Sequence, residues 1–148
     1  MATQSSTGLA DYLLVTGSLK AALDGGFIKV YSGTPPTTAD DAVTGTLLWT
    51  ISVGGSGTGL TWSPTTVSRA LVKPSAATWS GPTVAGTATY YRVVGSADTG
   101  ASSTTQPRIQ GNVGMVAGPD TDMYVADTTF AAGTKSLSAF SLALPAVA

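Results

Sequence analysis

The stretch Thr46-Leu47-Leu48-Trp49-Thr50-Ile51-Ser52-Val53 decides how the rest of the chain is read. Leu47, Trp49, Ile51 and Val53 recur at every second position, with Thr46, Thr50 and Ser52 on the alternate side. A period of two sends successive side chains to opposite faces, which describes a half-buried strand of an antiparallel sheet. Residues 87–94 repeat the pattern, with Tyr91 and Val93 on one face and Tyr90 and Arg92 on the other. Residues 27–31 do so again, Ile28 and Val30 alternating with Phe27, Lys29 and Tyr31. Leu47, Trp49, Ile51, Tyr91 and Val93 are the expected inward set.

Working outward, Pro35-Pro36 ends the first of these strands, because proline has no N–H for a ladder. Residues 37–43 are expected to form one helical turn, capped by Thr37 or Thr38, with Asp40 and Asp41 near its positive end. Residues 54–59, Gly-Gly-Ser-Gly-Thr-Gly, read as a flexible hairpin loop. Shorter strands are expected over 60–62, 68–73 and 77–79, separated by Pro64, Pro74 and Gly81-Pro82. A polar loop over 97–105 precedes strands at 108–113 and 123–126. The terminal strand, 135–144, aligns Phe140, Leu142 and Leu144. The helical segment is 9–23, where Leu9, Leu13, Leu19 and Leu23 recur near helical spacing and Gly25-Gly26 provides the stop. Gly17 is where it would split, with Thr16 or Ser18 capping a second short helix. Residues 1–8 are small and polar and read as a flexible arm before a single domain, 9–148. The fold expected is an all-β antiparallel sandwich, a jelly roll, preceded by one short helical segment.

The chain contains no His, no Cys and no Glu. A Ser-His-Asp triad, a zinc site and thiol redox chemistry are thereby excluded. The glycine-rich loop lacks the Lys, Ser or Thr and helix that a phosphate cradle requires, since Leu60-Thr61-Trp62 follows it. Asp120-Thr121-Asp122 with Asp127 offers calcium-type oxygens, but without the glycine and terminal glutamate of an EF-hand loop, and Asp beside Gly118-Pro119 shapes a turn. Asp40-Asp41 are neighbours on the chain and do not face one another as a glycosidase pair must. No catalytic residue, cofactor or metal is expected, and the reading is of a non-enzymatic protein.

Its 148 residues suffice to bury about 68–70% of the unfolded chain's surface without a disulfide or metal. Only 10% are charged, against roughly 25% in ordinary soluble domains, and the formal net charge is −1. Mean hydropathy is +0.24. So few charges defend a free surface poorly, which implies that a partner covers much of it. The alternative is an exterior of its 24 Thr and 16 Ser. The seven basic residues are scattered, so no direct nucleic-acid contact is expected. Residues 42–68 are uncharged but broken by glycines and Pro64, and residues 137–148 are too short to span, so no membrane segment is expected. No signal peptide is visible at the start, and a cysteine-free composition fits synthesis in a reducing cytoplasm.

One further pattern spans roughly residues 19–144. It begins with Gly25-Gly26-Phe27-Ile28-Lys29-Val30-Tyr31-Ser32-Gly33-Thr34-Pro35-Pro36, followed by Ala39-Asp40 and Gly45-Thr46-Leu47-Leu48. Tyr91-Arg92, Gly111-Asn112-Val113-Gly114 and Ala132-Gly133 continue it. This resembles small virion structural proteins of tailed bacteriophages, and among them the head decoration, or cement, proteins with a jelly-roll fold. The resemblance implies a protein on the outer surface of the capsid that bridges major capsid subunits, often as a homodimer. Its motifs mark no discrete binding residues. A rival within the same group is a tail, baseplate or fibre domain that binds host-surface carbohydrate. That rival needs an exposed aromatic ring with nearby Asp or Asn, and Asn112 is the sole asparagine.

For contacts with a capsid subunit or a second copy, the expected residues are the terminal Met1, Ala2, Thr3, Pro145 and Val147. The loop residues Pro35, Pro36, Gly55 and Ser56 are added because they lie between strands. Trp62 and Trp79 lie in weakly patterned strands; they are either core or interface anchors, since aromatic rings deliver large contact area at low entropic cost.

Overall fold

The alternating segments form the centre of one sheet, as their pattern dictates. In the computed structural model, which describes residues 3–67, 69–115 and 122–143, β1 (Gln4–Ser5) is followed by helices α1 (Thr7–Val15) and α2 (Leu19–Leu23). Then come β2 (Phe27–Tyr31) and β3 (Leu47–Val53), which pair antiparallel with Ile28 opposite Ile51 and Val30 opposite Trp49. Short strands β4 (Ala70–Val72), β5 (Trp79–Thr83) and β6 (Gly86–Thr87) lead to β7 (Tyr90–Val94) and β8 (Arg108–Gly114). The chain continues through β9 (Met123–Tyr124), β10 (Thr129–Phe130), β11 (Gly133–Leu137) and β12 (Ser141–Ala143).

Among the described residues the main sheet has eight strands in the order β1-β8-β7-β2-β3-β5-β11, with β9 added in parallel to β8. The pairs β10-β6 and β12-β4 form separate two-stranded sheets. The all-β sandwich expected from the alternation is what forms. Its layers are unequal: one long sheet is covered by short pairs and connecting segments, rather than by a second sheet of equal size.

Alternation decides which face is the core. Ile28, Val30, Ile51, Tyr91, Val93 and Ile109 share one face and are 6% exposed or less. Trp62, Phe140, Leu71 and Leu142 close over them from the other layer. The Trp62 ring meets Trp79 edge-on at 5.0 Å, and Phe140 meets Tyr91 edge-on at 5.7 Å. Trp49 is covered edge-on by Phe130 at 5.8 Å. Such pairs stabilise by about 0.5–1.5 kcal/mol each beyond the area they bury.

Several local expectations give way to tertiary contacts. Leu47 is 40% exposed and Leu48 is buried, because the β2–β3 register slips at Val30/Tyr31 and pairs Tyr31 with Leu47, leaving Leu48 as the extra residue of a bulge. Residues 37–43 make no helix. Asp41 instead accepts from the Thr38 N–H and hydroxyl, both at 2.9 Å, and closes a turn. Residues 60–62 form no strand, although Leu60 exchanges backbone bonds with Gly25 and Gly26. Gly81-Pro82 does not separate strands but lies inside β5, where the ladder with β3 pairs Trp49 with Thr83 and Ser52 with Ser80 and passes over both residues. Glycine is required there, since a Cβ at position 81 would stand 1.8 Å from the Thr50 carbonyl oxygen. The single terminal strand is two: β11 extends the main sheet beside β5, and the chain then crosses to pair β12 with β4. Leu144 lies outside the described residues.

The helical segment splits at Gly17 as its composition suggests. Ser18 caps α2, its hydroxyl accepting from the Ala21 N–H at 3.1 Å. The amino-terminal segment is not a free arm over residues 3–8. β1 pairs with β8, Ser6 is 1% exposed, and α1 starts at Thr7. A polar sequence has no apolar payload, but its hydroxyls and N–H groups match acceptors on the body, and that alignment fixes it.

Candidate functional site

The sheet's second face carries most of the polar chemistry. Alternation sends Tyr31, Tyr90, Arg92, Gln110 and Arg108 to the side away from the apolar core. All are 5% exposed or less, because residues 36–44 run across them as a strap. The strap's carbonyls belong to no sheet and need donors. Gln110 Nε2 donates to the Pro36 carbonyl at 2.8 Å, and Arg92 Nη2 to that of Thr38 at 3.2 Å. Arg108 Nη1 donates to the Ala39 carbonyl at 3.1 Å. The Tyr90 hydroxyl donates to the Thr44 carbonyl at 2.5 Å and accepts from the Thr44 N–H at 3.1 Å. A guanidinium with its fork of donors is the side chain best suited to satisfy several carbonyls at once.

Asp98 anchors this array. Its carboxylate takes Arg108 Nε at 2.5 Å and Nη2 at 3.0 Å, and also accepts from the Gly100 N–H at 2.7 Å. Arg108 Nη2 further donates to the Ala101 carbonyl at 2.6 Å, which draws the loop after β7 onto the same face. Among the described residues no carboxylate is hydrogen-bonded to Arg92; its Nε donates to Gln110 Oε1 at 2.7 Å, and its Nη1 is buried without a hydrogen-bond partner. Burial, together with the Arg108 charge, lowers the Arg92 pKa. Burial pushes the Tyr31 phenol up to about 12, with Tyr90 adding to the shift; the two rings stack at 5.0 Å. On the core face Tyr91 is raised as well, by burial first and by Asp122 second. Gln110, Arg92, Arg108 and Tyr90 each hold the backbone of a neighbouring segment, so the arrangement is a clasp for two loops.

Most of the remaining charges are also tied internally. Asp40 accepts from the Thr7 N–H at 2.8 Å and its hydroxyl at 2.5 Å, capping α1 from outside the helix. Asp24 holds Lys20 and accepts from the Trp62 N–H at 2.9 Å. Asp122 accepts from the Asn112 N–H at 2.9 Å and the Thr3 hydroxyl at 2.8 Å, and Asp127 from the Thr129 N–H at 2.8 Å. Lys73 donates to the Ala77 carbonyl at 2.5 Å, and Lys135 lies 4.9 Å from the Phe130 ring centre. Among the described residues no cluster of carboxylates is arranged for a metal, and Asp120 and Thr121 lie outside them.

The expected contact residues fall in different places. Gly55 and Ser56 are exposed at the tip of the turn after β3. Pro35 is half-buried, and Pro36, the first residue of the strap, is buried with its carbonyl taken by Gln110; both line the groove beside the strap. Thr3 is exposed but engaged with Asp122. Trp62 and Trp79 are 0% exposed, packed on each other in the core, and are withdrawn from any partner. Met1, Ala2, Pro145 and Val147 lie outside the described residues. Reading the sequence missed the buried clasp, because Arg92 looked like the solvent side of an amphipathic strand. The available signal was Arg92, Arg108 and Gln110 in strands of otherwise apolar character, beside loops of Pro, Ala and Gly that leave carbonyls bare.

Beside the strap lies an open groove of about 970 Å³, lined by Thr34, Pro35, Thr37, Thr89, Asn112 and Met115 among others. Among the described residues its lining carries no charged side chain. Met115 is 56% exposed, and Tyr124, paired to Gly114, is 65% exposed. No protein-family model matches the chain, and no curated protein or solved structure matches it significantly.

Proposed function

We propose that this chain is a non-enzymatic structural protein of a tailed-phage virion, a decoration protein on the outer capsid surface that bridges major capsid subunits. The observation that supports it most is the fate of the charges. They are few, 10% of the residues, and several are engaged within the chain: Asp98–Arg108 is buried, while Asp40–Thr7 and Asp24–Lys20 are paired at or near the surface, leaving a charge-poor, hydroxyl-rich exterior. Such a surface suits many shallow contacts on a repeating lattice, where high effective concentration replaces strong single interfaces. The contacts are assigned to the neutral groove beside the strap and to the Gly55–Ser56 tip. Each bound copy then favours the assembled shell by mass action.

The test is co-sedimentation with empty shells of the major capsid protein encoded alongside this chain. The chain is expected to pellet with the shells, and Thr37→Glu with Met115→Glu to remain in the supernatant at unchanged thermal stability. A wild-type chain that stays in the supernatant overturns the proposal. A second reading, a fibre or baseplate domain that binds carbohydrate, is favoured by one feature: Tyr124 presents an exposed ring on β9, next to the β8 segment that carries Asn112. Binding to a glycan array that Tyr124→Ala abolishes would support it.

A further inference from the structure

Helix α1 is buried at its first turn and touches the core again through the half-buried Tyr12, while its last residues stand in solvent. Gly8 and Leu9 are its buried residues, whereas Leu13, Leu14 and Val15 are 42, 80 and 86% exposed. The buried end sits in a receptor of position-specific contacts. The Ser6 hydroxyl accepts from the N–H groups of Leu9 and Arg108, at 3.1 and 2.9 Å, and donates to the Gln106 carbonyl at 2.8 Å. Thr7 is held by Asp40, Thr3 by Asp122, and Gln4–Ser5 by the edge of β8. A Cβ on Gly8 would stand 2.4 Å from the Thr105 carbonyl carbon, so the fit is close. Residues 3–9 are a hook in a shaped groove.

The other end of α1 meets α2 at an exposed corner, Thr16-Gly17-Ser18. Thr16 still has helical dihedrals (φ −109°, ψ −47°), while Ser18 is extended (φ −92°, ψ 162°). Rotation about the Ser18 ψ angle, with adjustment at Gly17, is the main change that would align the two helices.

We propose that the hook and α1 exchange between two copies of this chain. Residues 16–18 straighten, α1 and α2 become one helix, and each hook fills the other copy's groove with the same contacts it makes at home. In the exchanged pair α1 keeps its closed-chain relation to α2 of the other copy, so the new contact is confined to the straightened corners, where the exposed Leu14 and Val15 of the two copies come together. Because the hook's bonds are conserved, the cost is confined to the corner and to association, which makes exchange an economical route to a two-fold dimer. This goes beyond the virion assignment and does not rest on it.

The chain has no cysteine, so engineered thiols have no competitors. T7C and D40C chains are mixed, unfolded and refolded together at about 1 mM, then oxidised with oxidised glutathione. Exchange predicts a covalent T7C–D40C heterodimer on a non-reducing gel. T3C with D122C is the second pair, should the first disturb folding. In the same preparation G17A, which removes the helix-breaking residue and crowds the closed corner against the Tyr12 ring 3.0 Å away, is expected to raise the dimer about fivefold in sedimentation. Two glycines inserted after Gly17 are expected to lower it. Absence of an inter-chain link from both pairs, or an unchanged dimer fraction in G17A, overturns the proposal.

Discussion

Replacing Asp98 with Asn isolates the contribution of one buried charge to the strap. Both partners of the Asp98–Arg108 pair have side chains 1% exposed, and two of the guanidinium donors point at the carboxylate. Removing the negative charge leaves a guanidinium with no water to solvate it. Breaking a buried pair from one side typically costs about 3–5 kcal/mol. Asparagine still offers an oxygen to Arg108 or the Gly100 N–H, which sets the expectation near the lower end, about 3 kcal/mol. A domain holding about 5–15 kcal/mol should remain folded, with its Tm lowered by roughly 6–12 °C. Urea unfolding followed by near-ultraviolet circular dichroism reads the loss, and amide exchange should accelerate first over 36–44 and 98–101. Arg108→Met should cost more, because the carbonyls of Ala39 and Ala101 lose their donors as well, at about 1–3 kcal/mol each. A D98N loss below about 1 kcal/mol, or one that vanishes in about 1 M salt, would mean a solvent-screened pair and refute the reasoning.

Other perturbations reach different parts of the fold. Trp49→Ala, which empties a site 2% exposed against Phe130, should cost about 3–5 kcal/mol by denaturant titration. Gly81→Ala places a Cβ where the Thr50 carbonyl stands, so poor soluble yield or a Tm lowered by at least about 6 °C is expected; wild-type stability would contradict the β3–β5 geometry. Alkali should unfold the protein early. Tyr31 is protonated up to about 12 when folded but ionises near 10 when unfolded, so its stabilisation is complete below pH 10 and lost as pH rises through 12. That amounts to roughly 2–3 kcal/mol for Tyr31, and tyrosinate absorbance rising together with loss of the circular dichroism signal is the expected observation.

The parts of this protein legible in its sequence are those governed by short-range periodicity. Ile28 and Val30, Trp49 and Ile51, and Tyr91 and Val93 announce their strands because alternation is a property of a few consecutive residues. The break at Gly17, with Ser18 as cap, is equally local, since a glycine and a hydroxyl act on the next turn of backbone.

What only the tertiary structure decided is which faces meet and what covers them. Arg92 alternates with Tyr91 and Val93 as a solvent-facing residue would, yet it is buried, because a strap from residues 36–44, distant in sequence, brings carbonyls that need donors. Trp62 and Trp79 have no local pattern to place them; they are core because β5 joins the main sheet while residues 60–62 cover it, a contact made across the chain. The amino-terminal hook is the same case in reverse. Nothing in Thr3-Gln4-Ser5-Ser6-Thr7 buries apolar surface, and its order comes from Gln106, Arg108, Asp40 and Asp122, residues that only folding brings within hydrogen-bonding distance. Periodicity fixes which side chains share a face, but whether that face is wet or covered depends on long-range closure, which no window of neighbouring residues contains.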